Sequence, residues 1–188
     1  MKLRWSYEDE TSTVRSCIRK GASVPLAKCI YASRLFGASK DLVLHGGGNT
    51  SVKTRAKNIF DQPINGLFIK GSGKDLSAID IDGFTGLDLD SLKKLESLDD
   101  IEDDQMLTAF SQAKLELRSP RPSVETLIHA FLPAPYIFHT HANSVLAITN
   151  QPNGKKYASK VFGRNAIVLP YVISVSYTHL TLPTILLV

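Results

Sequence analysis

Residues 24 to 36, VPLAKCIYASRLF, carry apolar groups at helical spacing and run into Gly37, which suits a helix C-terminus. A short apolar run from Asp41 to His45 leads into the turn Gly46-Gly47-Gly48-Asn49, and Ser51-Val52-Lys53 reads as a strand leaving it. Gly66 to Lys70, GLFIK, is a second strand, closed by Gly71-Ser72-Gly73 and Lys74. The segment GFTGLDLDSLKKL predicts a third strand running into a short helix, and Asp103 to Leu117 a helix with Met106, Leu107 and Phe110 on one face. In SPRPSVETLIHAFLPAP, Pro122 suits a first helical turn while Pro133 and Pro135 stop the helix, which leaves Ser123 to Leu132. Tyr136 to His141, YIFHTH, reads as a strand, and Asn143 or Ser144 can cap the helix SVLAITN after it. Short strands alternating with helices predict a single α/β domain with one mixed sheet covered by helices, and no repeat architecture.

The last stretch departs from this pattern. After Arg164 no charged residue occurs in 24 positions, although the preceding chain has one about every four. NAIVLPYVI reads as a buried strand. SVSYTHLTLPTILLV after it has neither an amphipathic period nor capping residues, and resembles the translation of a reading frame that has run into sequencing adapter. The expected organisation is an N-terminal extension (1–20), one incomplete, C-terminally truncated domain (21–173) and a non-native tail (174–188). A native edge strand is the other reading of the tail.

A chain of 188 residues with 43% hydrophobic and 21% charged residues is long enough to bury one core. The net charge of +4 suits an anionic small substrate. No Lys/Arg run of the nucleic-acid type occurs, and acidic residues cluster between Asp75 and Asp104, so no nucleic-acid partner is expected. Cys17 and Cys29 make neither a disulfide framework nor a metal motif. Met1 to Glu10 is polar, without a signal-peptide core, and the uncharged stretch from Asn165 is broken by prolines, a histidine and Ser/Thr. The expected location is cytoplasmic, with no membrane partner.

His139-Thr140-His141 carries the first chemistry. On a strand, side chains at i and i+2 share a face, so both imidazoles can reach one metal ion. The pair alone equally fits two half-exposed strand histidines. Glu125 and His129 lie four apart on the preceding helix, and the short return to His139 lets the carboxylate approach that ion, where it could move a proton beside a polarised carbonyl. Alone, Glu125 better fits a first-turn acid favoured by the helix dipole, and His129 better fits a structural group beneath the site. Gly48-Asn49-Thr50-Ser51 and Lys70-Gly71-Ser72-Gly73 are loops whose N–H groups can converge on an anion, with Lys53, Lys70 and Lys74 nearby to add positive charge. Neither loop has a Walker or dinucleotide pattern.

The strings GGGNTS, KGSGKDL, PSVETLIHAFLP and HTHAN, in that order, resemble the class II aldolase/adducin family; within it the wording from PSVETLIHAFLP to ITNQPNG is similar to the aldolase half of bifunctional rhamnulose-1-phosphate aldolase/alcohol dehydrogenases. The resemblance covers about residues 20 to 173 and implies a mainly antiparallel sheet. It implies that Gly48 and Asn49, Ser72 and Gly73, and Ser123 bind substrate or its phosphate, that Glu125 is the acid/base, and that His139 and His141 hold Zn2+. The implied reaction is retro-aldol cleavage of a deoxyketose 1-phosphate to dihydroxyacetone phosphate and lactaldehyde through a zinc-stabilised enediolate. A sugar-phosphate epimerase or dehydratase, or a non-catalytic adducin-like interaction domain, are the alternatives. The resemblance further implies a homotetramer, NAD only in a fused dehydrogenase domain, and a third zinc histidine beyond Val188. His45, His129 and His179 do not match that ligand position, so the chain is expected to bind zinc weakly and to have little activity.

Overall fold

The computed structural model describes residues 5–44, 46–98 and 100–168, and the backbone of 185–187. Helix α1 (Tyr7–Arg19) starts where Ser6 Oγ accepts from Asp9 N, with Glu8, Asp9 and Glu10 at the positive end of its dipole. Helix α2 (Val24–Gly37) is capped by Ser23, with Pro25 in its first turn. Residues 1–20, expected as an extension, supply α1, whose Cys17 and Val14 join the core against α2. Gly37 is the last residue of α2 and not a left-handed cap. Its role is close approach, since a Cβ there would lie 2.2 Å from Ser77 N.

Strands β1 (Asn49–Lys57), β2 (Pro63–Lys70) and β3 (Phe84–Asp88) form a meander, and β4 (Tyr136–His139) returns to the far side of β1, giving the order β3-β2-β1-β4. The sheet expected to be mixed and mainly antiparallel is antiparallel at every described pairing. Between β3 and β4 run α3 (Leu89–Lys93), α4 (Asp103–Ala113) and α5 (Thr126–Phe131). One face of the sheet packs Val52 and Phe84 against Leu26, Ala27, Cys29 and Ile30 of α2, with Leu76 and Ile79 filling the edge. The other packs Leu67, Ile69 and Leu87 against Leu92 of α3, Met106, Phe110 and Ala113 of α4, and Leu127 and Ala130 of α5. Each such fully buried side chain contributes about 1.5–3 kcal/mol of transfer free energy, so both layers are held by apolar burial.

Three boundaries differ from expectation. Helix α4 stops at Ala113, because Lys114 turns extended and bridges to Leu87 of β3. Helix α5 starts at Thr126, because Ser123 O accepts from both Thr126 N and Thr126 Oγ1 in a tight turn; Pro122 therefore lies in the extended link, bridged to Gly71, and not in a first helical turn. Helix α6 (Asn143–Thr149) has no side-chain cap, since its N-cap is Ala142 and Asn143, its N–H bonded to Asp41 O, is already the first helical residue. Helix α7 (Gly154–Phe162) leads to β5 (Ala166–Val168), which pairs with β6 (Ile185–Leu187) in a separate two-stranded ladder. Ile167 of β5 is exposed among the described residues, and the rest of the strand expected from Asn165 to Ile173 lies largely outside them. Residues 169–184 and 188 lie outside the described residues, as does most of the expected tail. Among the described residues no helix is long and apolar enough to cross a membrane.

Candidate metal centre

The register of β1 against β4 places Asn49 directly opposite His139, so strand pleating alone puts the two on one face of the sheet. Pairing ends there, because the chain before Asn49 folds away through the glycine turn. His141 thus lies just past the strand, its N–H donating to Leu42 O at 2.9 Å. The two imidazoles meet through this turn and not through a shared pleat as expected; their ring centroids are 4.8 Å apart, tilted by 56°. Gly48 makes the turn: its φ is +68°, and a Cβ there would meet His139 O at 2.8 Å.

Glu125 sits at the N-terminal end of α5, buried. Its Oε1 lies 2.8 Å from His139 Nδ1, and its Oε2 accepts from Asn49 Nδ2. Asn49 Nδ2 also donates to Ser123 Oγ at 2.8 Å, and Ser123 Oγ accepts from Glu125 N. A carboxylate can only accept, so this contact fixes which way the Asn49 amide points. Burial alone would push the Glu125 carboxyl up. The hydrogen bond and charge of His139, then the Asn49 bond, outweigh it and hold the carboxyl at about 2, an anion at neutral pH. Burial pushes the His141 imidazole down, so it offers a neutral lone pair. Its Nε2 is buried with no hydrogen-bond partner.

One ligand atom from each of Glu125, His139 and His141 comes within 4.8 Å of the others. Two imidazoles and a carboxylate, one imidazole nitrogen orphaned, fit a divalent transition metal, for which zinc takes such donors at about 2.0–2.2 Å. Glu125, expected as the acid/base, lies within reach of the same ion as the two histidines; the third histidine implied by the resemblance would lie beyond Val188. His129 is not part of the set: its Nδ1 lies 2.7 Å from Ser51 Oγ, and burial holds it at about 3, neutral. His45 and His179 lie outside the described residues.

A cleft of about 170 Å³ opens beside these groups, lined by Gly46 to Asn49, Lys70, Ser72, Gly73, Ser123, Val124, Glu125 and His141. Both glycine loops therefore share one cavity with Glu125 and His141, and His139 stands behind it against Glu125. Sequence reading treated Lys70 only as nearby charge. It is 2% exposed, and its Nζ donates to Gly46 O at 2.7 Å. Burial pulls its pKa down, while Glu125 and Asp75 pull it back up. The signal was its place in KGSGK, directly before the second loop. Lys53 does not serve the loops as expected. Four residues along β1 from Asn49, about 13 Å at strand rise, its ammonium is engaged at the far end of α5. A larger concavity of about 500 Å³ on the outer side of α4, lined by Asp104, Leu107, Thr108, Ser111 and Gln112, holds none of these residues.

The chain belongs to the class II aldolase and adducin N-terminal domain family, whose model matches residues 27–180. It is similar to the N-terminal class II aldolase domain of a conserved protein from Thermoplasma acidophilum, with a TM-score of 0.78 and 36% identity, covering 92% of this chain and 74% of that one. It is also 36% identical over 155 residues to the "uncharacterized oxidoreductase YuxG" of Bacillus subtilis (strain 168). That match takes in 81% of this chain but 22% of the relative, so the chain spans about a fifth of that protein's length.

Proposed function

We propose that this domain is a zinc-dependent aldolase that cleaves a deoxyketose 1-phosphate such as rhamnulose 1-phosphate into dihydroxyacetone phosphate and lactaldehyde. What carries the reading is the cluster of Glu125, His139 and His141, two members of which line a cleft together with two glycine loops and a buried lysine. Glu125, His139 and His141 would hold the ion, which when bound supplies a Lewis acid for the substrate carbonyl and the neighbouring hydroxyl. The backbone around Gly48-Asn49 and Ser72-Gly73, the Ser123 hydroxyl and the Lys70 ammonium would receive the phosphate and set the distance from it to the reacting carbons. Breaking the carbon–carbon bond leaves its electron pair on the ketose half, and the former hydroxyl oxygen becomes the carbonyl of the departing aldehyde. Glu125, an anion at rest, accepts the proton released and returns it to the carbon that gained the pair. Binding as a homo-oligomer with a sugar phosphate belongs to the same proposal. So does a nicotinamide-dependent dehydrogenase domain elsewhere in a longer polypeptide, which would account for the name of the B. subtilis relative.

The test is to load the purified protein with zinc, supply ketose 1-phosphates, and follow dihydroxyacetone phosphate with a coupled reductase. Release that stops with a chelator and with Glu125→Gln is expected. Recovery of the ketose with one carbon inverted would indicate an epimerase, and loss of water without cleavage a dehydratase. Tight stoichiometric zinc without turnover of any sugar phosphate would leave an interaction domain.

A further inference from the structure

Three alternate residues in the first half of β1 reach α5 and the chain on either side of it. Asn49 bonds Ser123 and Glu125 at the helix start, Ser51 bonds His129 one turn later, and Lys53 bonds Leu132 O and Ala134 O past the helix end. The contacts fall at strand positions two apart and at 125, 129 and 132 on the helical side, spacings that let one pleated face track one helical face. The last contact is the densest. The link from α5 to β4, Leu132-Pro133-Ala134-Pro135, cannot donate from either proline, and three of its four carbonyls turn onto Lys53: two accept from Nζ, and Pro135 O accepts from the Lys53 backbone N–H at 2.8 Å. This link is the covalent connection between the helix of Glu125 and the strand of His139. Helix α5 has only six residues, too few to hold its own axis. The ammonium sits just past the helix end, on the C-cap carbonyl of Leu132, where a cation is favoured by the dipole.

We propose that Lys53 is a positioning residue: it clamps the α5–β4 link to β1 and thereby holds the Glu125 carboxylate against His139 Nδ1. The proposal rests on the reading of Glu125 and His139 as the working pair, and it assigns Lys53 to the supporting frame and not to the anion cleft. Lysine suits the role because a single ammonium donates to two carbonyls at once from a stem that crosses apolar surface.

The experiment uses metal-free protein labelled with 15N-histidine, in which two-bond nitrogen–proton spectra report the tautomer of His139, assigned with His139→Gln. Wild type should show His139 protonated at Nδ1. Lys53→Met should shift the population toward the Nε2 tautomer and lower zinc affinity, measured by chelator competition, about 10-fold, the scale for loss of a group that orients a ligand. Lys53→Arg, which keeps the cation, should restore both, and Lys57→Met, on an exposed lysine of the same strand, should change neither. An unchanged tautomer and zinc affinity in folded Lys53→Met, whatever its melting temperature, would overturn the proposal. If Lys53→Met does not fold, Ser51→Ala reads the next rung of the same ladder, and an unmoved His139 signal there overturns it too. Because the tautomer is read without metal or substrate, a failed aldolase assay and a failed clamp are separate results.

Discussion

The two faces of β1 alternate residue by residue yet are built from opposite chemistry. Val52 turns to α2 among Leu26, Ala27, Ile30 and Leu76, and Thr50 beside it makes a side-chain contact with Ser33 of α2. Asn49, Ser51 and Lys53 turn to α5 and make directional bonds to it along its whole length. Apolar contact is non-directional, so Val52 adds to the burial that holds both layers while tolerating small slides. Buried hydrogen bonds have a narrow range of good geometry, so the α5 layer sets where Glu125 stands to within a few tenths of an ångström. Along β1 itself, Val52 serves stability while Asn49, Ser51 and Lys53 serve site geometry, and mutations can separate the two.

The largest effect expected is on activity: Glu125→Gln should lower aldolase turnover about 10²–10⁴-fold, with the urea midpoint showing that the fold persists. A loss below tenfold would remove Glu125 as the proton carrier. On the other face, Leu76→Ala should cost about 2–5 kcal/mol in urea unfolding, while the folded fraction keeps its zinc affinity. Impaired zinc binding there would mean that the two faces are not independent. Gly48→Ala should cost about 1–3 kcal/mol, since φ there is +68° and the new Cβ meets His139 O; unlike Leu76→Ala, it should also weaken zinc binding.

Acid should act through the polar face. His129 is held at about 3 by burial, against its usual value near 6.5, with Glu125 pulling the other way. The unfolded chain therefore takes up a proton below about pH 6.5 that the folded one refuses until about 3. Stability is present above 6.5 and is lost as pH falls through that window, at about 1.4 kcal/mol per pH unit for a full proton. Glu125, held at about 2, adds a loss of the same sign below its usual value of 4.5. Urea midpoints at pH 7 and pH 5 check this, and His129→Asn should flatten the slope. The smallest effect is at Cys29, fully buried with its thiol pushed up to about 12 by burial; thiol reagents should label it only after denaturant is added.

Much of the frame was legible from pattern. Residues 24 to 36 had helical spacing and form α2; GLFIK lies in β2, and the glycine turn opens β1. Boundaries were missed where a tertiary contact outbid local preference. Lys114 leaves α4 to pair with β3, and Ser123 delays α5 by holding Thr126 in a turn. Helices α1 and α7 went unread because mostly polar or small residues hide their one buried stripe, Cys17 in α1, and Gly154 and Ala158 in α7.

The sequence by itself determined the donor types and their order along the chain: a glycine turn, a second glycine loop with its lysine, a glutamate, and two histidines two apart. Those are local properties, legible because metal chemistry and anion binding need particular side chains wherever the fold puts them. Only the tertiary structure decided that Glu125 comes within 4.8 Å of His139 and His141, that Lys70 lines the cleft, and that Lys53 grips the link behind them. Those outcomes depend on the antiparallel register of β1 with β4 and on the crossing of α5 over β1. Both are settled by burial and pairing between residues as much as 90 positions apart, as Asn49 and His139 are.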